Sequence, residues 1–452
     1  MSLESEDIAL LEQERIIIQA GGKRTVSSAY LSPPSSLSST SLSSAGSSPV
    51  SLRLWRFTDP FPKYINLPLE GVSVSALEWI GFNNETAEKI ISHYASRPDP
   101  DQNPDEILDY VYSHVRGKSQ QQDRPAIETM TSMGLKQDFQ NALTDPRFES
   151  IQGTETLRFW IEDTLRINYL TMIMLQGRLK KTAELIKAGK KKGKRASLPH
   201  AASIFQPEAL SSQSPSTTAT LSMTAANQSI PEQHNLPATY VSVEAAGPIL
   251  HDHVVLYKAR AACDMEDLIL EDGRFNLSSL QTYSGGDFNH LRGAWYWTPE
   301  RECAETCREW AERRCPWSET WVIRIQAPKA CFNTLKHEEL WYGYDWKEYL
   351  WHCRKKRPPP SKYDKFWESA DLVKGHICTK VSSVVLHVKK EKLQTAITDD
   401  FGMTLADGAK ATQWVFMKDT SFGLILEQAL GKTHIDITQA LQMQGDSETK
   451  SP

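Results

Sequence analysis

The first 262 residues contain no cysteine, and the seven that follow, Cys263, Cys303, Cys307, Cys315, Cys331, Cys353 and Cys378, are odd in number and include no C-x-x-C pair. That excludes a disulfide framework and reads the thiols as reduced, small hydrophobes. Cys303 and Cys307 share a helix face, and His352, Cys353, His376 and Cys378 offer further donors, but the spacing is that of no closed zinc motif, so no metal is expected. Long apolar runs are missing too. No stretch can span a bilayer, and Met1 to Arg24 holds Glu4, Glu6, Asp7, Glu12 and Glu14, unlike a signal peptide. A nuclear or cytoplasmic protein without a membrane role is expected. Charge of one sign is scarce: 51 Lys and Arg face 56 Asp and Glu, net −5, which argues against a chain-wide coat for nucleic acid.

Large apolar residues are sparse from Thr25 to Ser51 and from Ala196 to Glu244, where Ser, Thr, Pro, Ala and Gln dominate. Such segments bury too little surface to offset the entropy of ordering. The expected map is a mostly disordered segment over 1–52, a helical bundle over 68–187, a basic run and disordered linker over 188–247, a compact domain over 248–438 and a disordered tail over 439–452. Ten of the thirteen tryptophans lie between Trp295 and Trp414, which places the main core in the C-terminal block.

Lys187, Lys190, Lys191, Lys192, Lys194 and Arg195 close the helical block. They read as a solvated helix end suited to the negative end of the macrodipole, or as a nuclear import or phosphate-contacting patch. Within the block, Leu77, Ile80, Ala87, Ile90 and Ile91 recur at helical spacing, as do Ile107, Leu108, Val111 and Val115 after Asn103-Pro104-Asp105, and a longer run holds Leu157, Trp160, Ile161, Leu165, Tyr169, Leu170 and Met174. Ala76 to Phe82 followed by the helix at Ile107 to Val115 resembles a ubiquitin-associated domain. The resemblance implies that Ile80, Gly81 and Phe82 contact a protein partner, ubiquitin among the possibilities. A second turn of the same kind stands at Met133-Gly134-Leu135, followed by Phe139 and Leu143.

In the C-terminal block, Val254 to Arg260 predicts a strand with Leu256, Lys258 and Arg260 on one face. Trp295 and Trp297 alternate with Tyr296 and Thr298. Thr298-Pro299-Glu300 predicts a helix start, and Cys303, Ala304, Cys307, Trp310 and Ala311 its buried stripe. Trp321 to Ile325, Val384 to Leu386 and Trp414 to Phe416 predict further strands. Few long helices intervene, so the expected class is α+β, with a mainly antiparallel sheet domain behind a small helical bundle.

The order of these parts resembles the ADP-ribosyltransferase fold, in particular a family of short transferase-like domains. The matching segments are Leu256-Tyr257-Lys258-Ala259, Asp287-Phe288, Gly293 to Thr298, Trp310-Ala311, Trp346 to Arg354, Asp371 to Gly375 and Gln413 to Phe416, over about the last 200 residues. The resemblance implies NAD as cofactor. ADP-ribosyl transfer passes through an oxocarbenium-like state, so it needs a cation on the first strand for ribose and phosphate, an aromatic ring on the nicotinamide and a late carboxylate. Lys258 and Arg260 take the first role, Tyr296 and Thr298 the second, and Gln413 stands on the catalytic strand. Val415 replaces the glutamate of a Gln-x-Glu motif, so binding of NAD or ADP-ribose with little or no transfer is expected. A non-enzymatic interaction or scaffold protein is the other expectation, and a nucleic-acid role a third.

Overall fold

The computed structural model describes residues 3–20, 23–27, 64–98, 105–118, 125–191, 241–242, 248–265, 268, 275–283, 285–380, 384–438 and 440. Most of the residues in the segments expected to be disordered, among them 28–52, 196–240 and 441–452, lie outside these residues. Residues 3–27 do not follow that expectation. A helix, Ser5–Gln13, leads into strands β1 (Ile17–Ala20) and β2 (Lys23–Ser27), and β3 (Tyr64–Ile65) completes an antiparallel sheet ordered β1-β2-β3. Leu11, Ile16, Ile17 and Val26 supply its apolar face, which buries against Met172, Leu175, Leu179 and Ala183 of a distant helix. Lys187 is tied to this element by an ion pair to Asp7 at 2.7 Å. Lys192, Lys194 and Arg195 lie outside the described residues.

That distant helix, Leu157–Lys191, runs for 35 residues and is the spine of the molecule. Its first turns bury Ile161 and Leu165 among the short helices of the bundle, its middle sets Ile167 and Leu170 against Ala261, Cys263 and Cys315, and its end carries the N-terminal sheet. A helix this long is stabilised mainly by such packing.

The bundle is built on two turns that pair with each other. Val74–Ile80, capped by Ser73, ends at Gly81, and Asn84–Ala95 follows, capped by Asn83. Ala126–Ser132 ends near Gly134, and Gln137–Leu143 follows. Phe82 and Leu135 form an antiparallel bridge, with Asn83 N donating to Gly134 O and Lys136 N to Gly81 O, both at 2.8 Å. Gly134 has φ of 75°, and a Cβ there would stand 1.9 Å from Thr86 Oγ1, so only glycine fits. The pairing closes the surface that the ubiquitin-associated resemblance needs. Ile80 and Phe82 are wholly buried, so they present no apolar patch to a partner.

The C-terminal block is α+β. One four-stranded sheet has the order β4-β11-β7-β5 (Val241–Ser242, Thr433–Thr438, Thr320–Pro328, His253–Ala261), and a second has the order β6-β10-β9-β8 (Trp295–Trp297, Thr412–Phe416, Leu372–His376, His337–Leu340). Pairing is antiparallel except β4 with β11 and β8 with β9. Leu256, Trp295, Trp297, Ile323, Ile325 and Phe416 share one core with the helix Asp419–Gln428. Three local expectations change. The short strand β4 falls within the expected linker. Val384 to Leu386 form a helical turn, with Val388 N bonded to Val384 O at 2.9 Å; Val385 is buried by packing, not by strand pairing. The helix after Thr298 spans Arg301–Arg314 and its first flanking residue is Glu300, while Thr298 Oγ1 accepts from Glu300 N at 3.2 Å.

The bundle and the sheets form one body, joined along the Arg301–Arg314 helix. Trp310 lies 5.3 Å from Phe148 and 5.7 Å from Trp160, ring to ring. Arg314 stacks over Trp160, donates to Thr164 at 2.7 Å and pairs with Asp163 at 3.1 Å. Burial opposes ionisation of Asp163, yet Arg314 and Arg166 hold its carboxyl below the usual range. Arg313 pairs with Asp145 at 3.0 Å. Gly153 packs so closely on the other block that a Cβ would meet Thr379 O.

Candidate functional site

The strand register brings the sequence-predicted residues into one neighbourhood. β10 pairs with β6 so that Val415 faces Tyr296, and an isolated bridge joins Tyr257 of β5 to Thr298 just past β6. Each side chain is then taken up by the protein itself.

Lys258 is 8% exposed and its Nζ donates to the backbone carbonyl of Tyr296 at 3.0 Å. Burial, reinforced by Arg260, pushes its ammonium well below the ordinary lysine range. Arg260 is half-buried on the same strand and acts electrostatically on Asp163 and Cys307. Lys258 thus ties β5 to the β6 backbone, while Arg260 serves the seam between β5, the Arg301–Arg314 helix and the long helix.

Tyr296 points the other way. Its Oη accepts from Phe288 N at 2.9 Å and donates to Asn289 Oδ1 at 2.8 Å, pinning the 285–290 loop over the sheet. Burial and the nearby Asp287 raise its phenol well above the ordinary value. The helix Tyr344–Arg354 lies on the same face, where Tyr349 Oη donates to Phe288 O at 3.1 Å. Val415 joins Phe288, Trp346 and Tyr349 in this core, so the place a catalytic glutamate would hold is packed with apolar side chains.

Gln413 is 5% exposed and donates to Asp287 Oδ2 at 2.8 Å and to His376 O at 3.0 Å. Asp287 also accepts from Cys378 N at 2.9 Å and from Arg354, whose Nε stands 2.7 Å from Oδ1. Arg354 reaches on to Glu155 of the bundle at 2.5 Å. Burial opposes its charge, but Asp287 and Glu155 outweigh it and hold the guanidinium ionised. Burial raises the Glu155 carboxyl, against the pull of Arg354. Gln413, Asp287, Arg354 and Glu155 therefore make a satisfied buried polar chain that fastens the loop, the late strand and the bundle.

Thr298 is a fourth, separate case. Its hydroxyl donates to Glu300 Oε2 at 2.5 Å, and Glu300 accepts from Thr412 Oγ1 at 2.6 Å, which clips the end of β6 to the start of β10. The five predicted residues are therefore neighbours in the chain's topology but do not open onto one cleft. Sequence reasoning missed Arg354 as the partner of Asp287 and Glu155 as the partner of Arg354, because nothing in a single sequence links positions 67 and 199 residues apart.

An open recess lies elsewhere. A groove of about 1070 Å³ runs between residues 64–70, the Gly81 turn, the Gln137–Leu143 helix and the loop after Arg314. Ile65, Leu67, Trp79, Lys136, Arg313 and Trp317 are among its lining residues. Trp79 and Trp317 stack at 5.5 Å across the junction of the bundle and the sheet block, and the indole nitrogen of Trp79 has no hydrogen-bond partner. No helix of the described residues is long and apolar enough to cross a membrane.

No protein-family model, no curated protein and no solved structure matches this chain.

Proposed function

We propose that this chain is a non-enzymatic interaction protein: its C-terminal block is a transferase-like scaffold whose ligand cleft has been given over to side-chain packing, and its partner surface is the groove at the junction of the three parts. The observation that carries this reading is the contrast between the two places. Around β6 and β10 every polar group expected to meet NAD is satisfied inside the protein, whereas the groove is open, lined by stacked tryptophans and cations, and walled by an edge strand, β3, that has one neighbour in its sheet. Trp and Arg are the side chains that most often anchor protein interfaces. A run of backbone beside such anchors suits an extended peptide segment of a partner.

Two measurements test it. Titration of the full chain with millimolar NAD or ADP-ribose should give no heat; binding that is lost in Tyr296→Ala would restore the nucleotide reading. A photo-crosslinking residue in place of Trp317 should give a defined adduct in cell extract that is absent when the same residue replaces the exposed Arg158. Equal adducts at both positions would remove the groove from consideration.

A further inference from the structure

The helix Tyr344–Arg354 ends in a run of cations, Lys355-Lys356-Arg357, and a second run, Lys389-Lys390-Glu391-Lys392, packs beside it. One carbonyl joins them. Val388 O accepts from Trp351 Nε1 at 2.9 Å and from Lys355 Nζ at 3.4 Å, so Lys389 and Lys390 follow directly at the helix end. Lys355 and Arg357 lie over the Trp351 ring, 4.7 and 5.7 Å from its centroid, and Lys390 reaches Glu348 of the same helix at 3.3 Å. Two stretches far apart in the chain thus make one positive surface, and none of these residues lines the groove.

Little acid balances that surface. Glu348 is buried and already shared by Lys362, Lys390 and the Tyr363 hydroxyl. Glu155 feels Lys356 but is paired with Arg354, and Glu391 is the one acid within the two runs. Among the described residues Lys355, Lys356, Arg357, Lys389 and Lys392 form no ion pair, and all but the half-buried Lys355 are exposed. Cations suit a helix C-terminus, which accounts for the first run alone.

The backbone at Lys356 has no such account. Arg357 N donates to His352 O and Lys356 N to Cys353 O, both at 2.9 Å. These two bonds close a helix end whose left-handed residue is ordinarily glycine, and here it is Lys356, with φ of 52°. Glycine would relieve that conformation, so the lysine charge is kept against backbone strain. Exposed rings stand at both ends of the surface. Tyr283, 83% exposed, is two residues from Gly285, where a Cβ would come within 2.7 Å of Lys356 Cε. Tyr344, 59% exposed, begins the helix and carries Lys362 over its ring at 4.9 Å. The eleven-residue helix between them rises about 16 Å, enough for a few nucleotides.

We propose that this surface binds single-stranded nucleic acid, with the cations on phosphates and Tyr283 and Tyr344 stacked on bases. Unpaired cations beside exposed rings match a strand that offers both charge and open base faces. A duplex hides its base faces. A flat anionic bilayer would meet a whole face of a molecule of net charge −5, whereas a flexible strand touches the positive track alone.

The test is fluorescence anisotropy of the full chain with labelled DNA and RNA single strands and with the matching duplex, over a range of salt, beside co-sedimentation with anionic vesicles. Single strands are expected to bind more tightly than duplex, and log K to fall with log salt at a slope of about −2 to −3.5, for three to five phosphates at roughly 0.7 each. Lys389→Glu with Lys392→Glu should weaken binding more than tenfold and flatten the slope by about 1.4. Tyr283→Ala should weaken it roughly five- to hundredfold at every salt concentration, and Tyr283→Phe, which keeps the ring, should not. Lys356→Gly should weaken binding while Tm holds or rises, because glycine suits the φ; a fall in Tm with unchanged affinity would make Lys356 a structural residue and overturn its role. Equal affinity for duplex and single strand, binding to vesicles but to no oligonucleotide, or binding abolished by Ala at Lys190, Lys191, Lys192, Lys194 and Arg195 but not by the Lys389 and Lys392 reversals, overturns the assignment.

Discussion

Asp287 is 2% exposed and accepts hydrogen bonds from Arg354, Gln413 and Cys378 N, which makes it the residue on which the middle of the C-terminal block turns. Removing one member of a buried ion pair strands the other, at a cost of about 3–5 kcal/mol. Asp287→Ala should therefore lose that much stability in urea unfolding; a loss below about 1 kcal/mol would mean that water reaches Arg354. Gln413→Glu separates a structural role from a catalytic one. It sets a carboxylate against Asp287 and should destabilise by on the order of 3 kcal/mol, whereas a residue waiting for substrate would tolerate the change. The buried histidines give a pH signature. Burial holds His290 and His352 below the ordinary value, with Lys390 adding to the effect at His352 and Glu348 opposing it. The unfolded chain then binds the extra protons first, so their contribution to stability is present above about pH 6.5 and is lost as pH falls below it. Melting temperature should drop between pH 7.5 and 5.5, and His290→Phe should flatten the slope. A Tm that rises on acidification would contradict neutral burial of these rings.

At the scale of elements, the Arg301–Arg314 helix behaves as the key of the structure, because one face meets β5 and β7 while the other fills the core of the bundle through Cys303 and Trp310. Trp310 is 1% exposed between two aromatic rings, and Trp310→Ala should cost about 3–5 kcal/mol. The loss should be seen by probes in both blocks at the same denaturant concentration; two separate transitions would show that the blocks unfold independently. The paired turns make a parallel case. Gly134→Ala meets both an unfavourable φ and the Thr86 side chain, so it should destabilise by more than about 1 kcal/mol. The stripe of Cys303, Ala304, Trp310 and Ala311 was legible in the sequence, since helical periodicity marks a buried face. What that face is buried against was not.

For the whole molecule, the seam reverses the natural reading of the domain map. Dense tryptophan and cysteine content suggests that residues 248–438 fold alone, but cutting there would expose Trp310 and Met403 and leave Arg313, Arg314 and Arg354 without Asp145, Asp163 and Glu155. The isolated fragment is expected to be poorly soluble or molten, and to be rescued by co-expression with residues 1–191. A cooperative melt of the fragment alone would overturn this. Limited proteolysis should still cut first between Ala196 and Glu244, where composition offers little to bury, and the two products should co-elute afterwards. Location is a separate expectation: replacing Lys190, Lys191, Lys192, Lys194 and Arg195 with Ala should shift a fluorescent fusion out of the nucleus, and an unchanged distribution would sink the import reading.

The sequence by itself determined the class and most of the elements: the bundle helices, strands β5 to β7 and β10, and the helix after Thr298 all follow from the period of their apolar residues, a local property that needs no partner to read. Through the transferase resemblance it also singled out Lys258, Arg260, Tyr296, Thr298 and Gln413 as a ligand site. Only the tertiary structure decided what they do. Lys258 ends on a carbonyl, Tyr296 on a loop, and Gln413 on an aspartate held by an arginine that is itself held by Glu155 of the other block. A polar side chain in a strand reads the same whether it awaits a ligand or satisfies a buried neighbour, and the difference lies in contacts between residues far apart in the chain. The same reason hid the N-terminal sheet, whose short strands become stable against a long helix that begins at Leu157, far along the chain.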